Sequence, residues 1–189
     1  YEYDLINDFA KSQGLKLNIK VAENPARLIE MLEAGEADVV AYPIPINNKL
    51  KQEVIYCGRE DISSQVLIQR ANKGDKLLTD VTQLIDKNVY VKPNTKYSER
   101  LKNLDEELGG GIHIQKVEND SIATEDLIEM VSLGEIPYTI SDDNTARLNK
   151  TYYWNINVDL KVSFPQRSSW GVRKSSPDLA KAIDEWASD

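Results

Sequence analysis

Apolar residues recur along this chain at two spacings, and each switch between them marks a new element. Leu5, Ile6 and Phe9 form one face of an opening helix that Gly14 ends. The pattern then alternates through Leu15-Lys16-Leu17-Asn18-Ile19-Lys20-Val21, the period of a half-buried strand. Asn24 with Pro25 caps and starts a helix, because proline lacks only a donor that would be unpaired there. Ser64 to Arg70 holds Val66, Leu67 and Ile68, a buried strand that the polar turn Asn72-Lys73-Gly74-Asp75 ends. Asp80 to Ile85 predicts a short helix and Asn88 to Lys92 a strand. Leu101, Leu104 and Leu108 line one face of a helix closed by Gly109-Gly110-Gly111. The chain finishes with strand Trp170-Gly171-Val172 and a helix capped by Ser176, opened by Pro177 and burying Leu179, Ile183 and Trp186.

One stretch of pattern occurs twice. Gly14 to Asn24 precedes Leu28-Ile29-Glu30-Met31 and Gly35-Glu36; Gly111 to Asn119 precedes Leu127-Ile128-Glu129-Met130 and Gly134-Glu135. Both copies read as an alternating strand, a polar loop, an amphipathic helix, a glycine stop and a second strand. That last strand is Asp38-Val39-Val40-Ala41 in the first copy and Tyr138-Thr139-Ile140 in the second. Strand–helix–strand units look alike through periodicity alone, but the identical Leu-Ile-Glu-Met quartet with Gly-Glu at the same offset argues for two similarly built lobes. Alternating strands and helices predict an α/β fold with central mixed, mainly parallel sheets and flanking helices. Ligands of such sheets lie beyond the carboxyl ends of the strands, so two facing lobes would hold one between them.

Composition narrows the function. The chain has 189 residues and a formal net charge of −8, which argues against a nucleic-acid surface. No apolar run approaches the length that spans a bilayer, and no secretory signal is recognisable in these residues; a precursor would carry one upstream. Cys57 is alone, so an internal disulfide and a paired-cysteine metal site are excluded. His113 is also alone, in the alternating Ile112-His113-Ile114, and reads as a partly exposed strand residue and not as a metal ligand or base. No metal and no cofactor are expected.

Several segments carry a family resemblance. Tyr1-Glu2-Tyr3-Asp4-Leu5, Leu32 to Ala41 and Gln65-Val66-Leu67-Ile68 resemble the family 3 extracellular solute-binding proteins. More narrowly, Ile136-Pro137-Tyr138-Thr139-Ile140-Ser141-Asp142-Asp143-Asn144, Trp170 to Lys174, and Asn149 to Asn155 with its Tyr152-Tyr153 pair resemble the branch formed by the membrane-bound lytic murein transglycosylases F. The resemblance implies a periplasmic binding protein-like fold of type II with a two-strand hinge. Residues 1–67 and 167–189 would form lobe 1, and residues 68–166 lobe 2. Ser63 to Arg70 and Lys161 to Gln166 would carry the crossings. The family begins with a strand and hairpin before the segment seen here as Tyr1 to Leu5, so a first strand is expected to be missing.

The same resemblance points to site residues. Family amino-acid binders clamp the ligand carboxylate with a threonine and an arginine, whose planar fork makes two parallel bonds. Here Pro45 and Leu50 stand at those positions, and Asn47 replaces a second threonine. Lys49 or Lys51 would supply a point charge nearby. In the second lobe, Lys92-Pro93-Asn94-Thr95-Lys96-Tyr97 joins a strand to a helix, where backbone N–H groups favour an anion. Asn94 or Thr95 either meets ligand or caps that helix. Asp142 aligns with the family aspartate that receives the ligand ammonium, or is a turn residue in Ser-Asp-Asp-Asn. Tyr42 and Tyr97 would be aromatic walls or core-edge packing. The expected ligand-binding set is therefore Tyr42, Asn47, Lys49, Lys92, Asn94, Thr95, Tyr97 and Asp142.

No catalytic residue is expected. Asp142 and Asp143 are adjacent and point apart, whereas a glycosidase pair must flank its substrate. Serine-elbow, paired-histidine zinc and phosphate-loop motifs are missing from the sequence. A lytic transglycosylase keeps its catalytic glutamate in a separate lysozyme-like domain beginning with a Glu-Ser pair, and no Glu-Ser dipeptide occurs here. The resemblance thus implies a monomeric, periplasmic sensor domain binding a muropeptide or peptide in the interlobe cleft, its parent anchored at the outer membrane. A free-standing amino-acid or peptide receptor of an ABC transporter is the alternative. A cyclohexadienyl dehydratase-like enzyme is a third reading, which would demand more titratable residues in the cleft.

Overall fold

A computed structural model describes residues 2–22 and 25–189. In chain order the elements are α1 (Glu2–Ser12), α2 (Pro25–Glu33), β1 (Val39–Pro45), α3 (Asn48–Lys51), β2 (Val54–Ser63) and β3 (Gln65–Arg70). A 3-10 turn (Val81–Leu84) leads to β4 (Asn88–Val91), α4 (Lys96–Glu107), β5 (His113–Lys116), α5 (Thr124–Leu133) and β6 (Tyr138–Asp142). Then follow α6 (Asp143–Lys150), β7 (Ile156–Asn157), β8 (Gln166–Arg173) and α7 (Pro177–Ala187). They divide into two compact units: unit 1 is Tyr1–Ile62 with Gln166–Asp189, and unit 2 is Ser63–Pro165.

Unit 1 is built on a sheet of order β1-β8-β2. β1 runs antiparallel to β8 with Val39 opposite Val172 and Val40 opposite Gly171, and the register shifts before Ile44 meets Ser169. Alternation along β1 sends its side chains to two cores. Val39 and Ala41 join Ile6 and Phe9 of α1, Cys57, Trp170, Val172, and Ala180 and Ile183 of α7. Val40 and Ile44 join Val54 and Leu32 of α2 on the other. Polar bonds close the first core's rim: Trp170 Nε1 donates to Glu2 Oε2 at 2.6 Å, and Gly58 N donates to Asp184 Oδ1 at 2.6 Å. The expected Asn24 cap lies outside the described residues. Ser176 is the N-cap of α7 by position, but its side chain makes no capping bond.

Unit 2 carries a sheet of order β5-β4-β6-β3-β7. β4 is parallel to both β5 and β6, and β3 is antiparallel to β6 and β7. β3 is buried on both faces. Leu67 packs with Leu84, Val89, Leu101, Leu104 and Ile140 under α4. Val66 and Ile68 pack with Leu127, Ile128, Val131 and Ala146 under α5 and α6. The buried amide of Gln69 is satisfied by one partner, donating to the Leu78 carbonyl at 2.9 Å and accepting from its N–H at 2.8 Å.

Three expectations need correction. Leu15 to Val21 alternates as a strand should but forms none, and Val21 is 90% exposed. Alternation belongs to one segment, whereas a ladder needs a second, and among the described residues β1 is paired only to β8. The unit 2 sheet is mixed, parallel only along β5-β4-β6, because β3 runs against β6 and β7, and in unit 1 β1 runs against β8. The short helix expected over Asp80 to Ile85 is present as a 3-10 helix, Val81–Leu84, held by an Asp80–Gln83 capping box. The Ser-Asp-Asp-Asn turn begins a helix, α6.

Candidate functional site

Parallel pairing of β4 with β6, with Tyr90 opposite Thr139, brings the carboxyl ends of both strands to one end of the unit 2 sheet. β4 continues into Lys92-Pro93-Asn94-Thr95, with Asn94 in the left-handed region at φ 59. Thr95 is the N-cap of α4: its Oγ1 accepts from Ser98 N at 3.2 Å and donates to the Lys92 carbonyl at 2.8 Å. Ser98 Oγ in turn accepts from Thr95 N at 3.2 Å. This reciprocal cap satisfies two donors that would otherwise face solvent or an anion. The Lys92 ammonium donates to the Asn119 carbonyl at 2.6 Å.

β6 delivers Asp142 to the same end. Asp142 is the N-cap of α6 by position, yet its side chain makes no capping bond and turns to α4 instead. There Oδ2 accepts from the Lys96 ammonium at 2.6 Å and from the Tyr97 hydroxyl at 3.2 Å. The ammonium lies 5.4 Å from the Tyr97 ring centroid, within the range of cation–π attraction. The Asp142 side chain is 20% exposed and the Lys96 side chain 40%, so water is only partly excluded from the pair. The structure therefore brings Tyr97 of α4 and Asp142 of β6 into contact, with Thr95 capping the same helix α4. Lys96 is the residue that sequence reasoning passed over as a partner of Asp142. A basic residue one position after a helix cap, at the start of the helix that follows a neighbouring strand, was the available signal.

The unit 1 candidates are separately placed. Tyr42 lies on β1 and is exposed. Asn47 caps α3, its Oδ1 accepting from Leu50 N at 2.9 Å. Lys49 lies on that same short helix. At the two family clamp positions, the Pro45 carbonyl accepts from the Tyr56 hydroxyl at 2.6 Å, and Leu50 packs against the core of Leu32, Val40, Ile44 and Val54. An apolar residue that completes a core offers no bidentate carboxylate contact.

Among the described residues, no group of three His, Cys, Asp or Glu side chains is arranged to hold a metal ion. His113 is exposed on β5, with Nε2 4.0 Å from Asp86. In unit 2 a groove of about 410 Å³ is lined by Val66, Asp143, Arg147 and Lys161 among others, and includes none of the expected ligand-binding residues.

Two units, each a sheet with helices on both faces and the first made of both ends of the chain, are the architecture of periplasmic binding proteins. Solved structures with that fold match almost the whole chain. Holo ArgBP from T. maritima is 21% identical, with a TM-score of 0.75 over 100% of this chain and 78% of that one. The substrate binding protein of an amino acid ABC transporter is 21% identical, with a TM-score of 0.73 over 99% and 79%. The sequence profile of the bacterial extracellular solute-binding proteins, family 3, matches residues 1–189, and the chain belongs to that family. Membership places it in the periplasm or cell envelope.

Among curated relatives, the membrane-bound lytic murein transglycosylase F of Desulfosudis oleivorans is 30% identical over 190 residues, covering 98% of this chain and 40% of that protein. The protein of the same name from Pseudomonas fluorescens (strain Pf0-1) is 26% identical over 174 residues, covering 91% and 35%. The chain thus spans well under half the length of these relatives. It is a solute-binding domain.

Proposed function

We propose that this chain is the non-catalytic, ligand-binding regulatory domain of a cell-envelope lytic murein transglycosylase, and that it takes a small cell-wall-derived ligand, a muropeptide or peptide. The observation that carries this reading is the match of 98% of the chain to a transglycosylase F, of which it covers only 40%. Chemistry on the peptidoglycan strand then belongs to the rest of the parent, anchored in the outer membrane. Within unit 2 the ligand contacts are assigned to Lys92, Asn94, Thr95, Tyr97 and Asp142. Within unit 1 they are assigned to Tyr42, Asn47 and Lys49. Ligand binding alters an attached domain only through different affinities for two states of this one.

The second reading is a free-standing amino-acid or peptide receptor of an ABC transporter, which the fold likeness to a binding protein of that class favours. Pro45 and Leu50 count against it, because they remove the first-unit clamp for an amino-acid carboxylate. A thermal-shift panel of muropeptides, short peptides and free amino acids separates the two. Muropeptides are expected to raise the melting temperature by several degrees more than glutamine or arginine does, since a ligand at about a hundred times its Kd adds roughly 2.7 kcal/mol. Stabilisation by free amino acids alone would remove the proposal in favour of the receptor.

A further inference from the structure

The carboxylate assigned to a ligand ammonium already has one. Lys96 Nζ sits 2.6 Å from Asp142 Oδ2, in hydrogen-bond contact, and the Tyr97 hydroxyl donates to the same oxygen at 3.2 Å. We propose that Lys96 is a built-in ammonium that fills the amine position of the unit 2 site, so that the domain selects ligands whose terminal amine is acylated and rejects those whose amine is free and charged. The inference rests on the proposed function for the location of the ligand and goes beyond it in naming the ligand's chemistry.

A free ammonium approaching Asp142 finds Oδ2 doubly occupied. Its approach to Oδ1 brings it within a few ångströms of the Lys96 ammonium, and like charges at that range repel, the more so where water is partly excluded. Asp142 cannot readily trade one cation for another, since releasing Lys96 breaks a charge-assisted bond and the contact with the Tyr97 ring. An amide meets neither penalty. It presents a neutral N–H to the remaining face of the carboxylate and a carbonyl to the remaining protons of the Lys96 ammonium. Discrimination of this kind arises from a repulsive element, here a lysine that evicts the competing cation.

The structure supplies the control as well. The Lys96 side chain is 40% exposed and lies in the first turn of α4, clear of the buried Leu101 and Leu104. Lys96→Met keeps an unbranched stem and removes the ammonium with its charge and its donors; Lys96→Gln keeps an uncharged donor and serves as a second variant. Binding of a muropeptide stem peptide, with its amino terminus either acetylated or free, is to be measured by calorimetry on both variants and the wild type. The wild type is expected to bind the acetylated peptide at least about tenfold more tightly, and the variants to lose or invert that preference through a gain for the free-amine form. Equal binding of both peptides by the wild type, or an unchanged preference in the variants, overturns the inference and leaves the proposed function standing. Silence of every protein towards both peptides overturns the proposed ligand class, and this inference with it.

Discussion

Cys57 lies on β2 with 3% of its surface exposed, beneath Trp170 and beside Ile183. Burial pushes its thiol up to about 12, and the negative charge of Asp184 adds to the shift. A thiol held protonated is neither a nucleophile nor a metal ligand. Native protein at about pH 8 is therefore expected to leave a water-soluble disulfide reagent unreacted, and urea-unfolded protein to consume one equivalent. Rapid labelling of the native state would contradict that. The shift also sets a pH dependence. The folded state holds this proton more tightly than the unfolded chain, whose thiol titrates near 9.0. The contribution is whole below that value and is lost as pH rises towards about 12. Urea midpoints should fall over that window in the wild type more steeply than in Cys57→Ala, and parallel curves would refute the assignment. Asp142 teaches a different lesson at the same scale. Its place at a strand's carboxyl end was legible from Tyr138-Thr139-Ile140, whereas its partner Lys96 was not. The two are brought together only by the parallel pairing of β4 with β6, a long-range fact that no local spacing records.

Among elements, Gly171 shows what a strand pattern conceals. In β8 it lies opposite Val40, flanked by the buried Trp170 and Val172. A Cβ at this position would stand 2.9 Å from Ile44 Cδ1 and 3.4 Å from Val54. The second core of unit 1 closes over a position with no side chain. Gly171→Ala should destabilise by about 1–3 kcal/mol, the usual range for overpacking, read as a lower urea midpoint at unchanged slope. A midpoint equal to wild type would mean that Ile44 moves aside without cost. Helices with a clear apolar face were legible for a related reason: Leu101 and Leu104 of α4, and Leu127 and Ile128 of α5, recur at helical spacing and are all buried. β2 was illegible because Gly58 and the charged Arg59, Glu60 and Asp61 interrupt its apolar run, and its Glu60 is held by an ion pair with Arg167 of β8. α6 hid behind Ser-Asp-Asp-Asn, residues that favour turns and helix starts for the same physical reason, their short polar side chains.

At the scale of the whole molecule, the two units differ in how the chain reaches them. Unit 1 needs both ends: α1 and α7 share one core with Trp170 and Val172 of β8, and Trp186 of α7 stacks on Trp170 at 6.2 Å. Unit 2 is a single stretch, Ser63–Pro165, with a five-stranded sheet covered on both faces by its own helices. Every strand that hydrogen-bonds into that sheet comes from the same stretch, and so does every buried residue of its two cores. A contiguous segment that supplies its own core has what independent folding requires. Residues 63–165 expressed alone are therefore expected to unfold in one cooperative urea transition with retained near-ultraviolet dichroism. Residues 1–62 alone, deprived of β8 from the middle of their sheet and of α7 from their core, should show neither. Within the excised unit, Leu67→Ala should cost about 2–5 kcal/mol, as expected for a fully buried leucine on a strand packed from both sides. A non-cooperative melt of residues 63–165 would show that this unit draws its stability from outside its own stretch of chain, and a cooperative one from residues 1–62 would show that β8 and α7 are dispensable to the first.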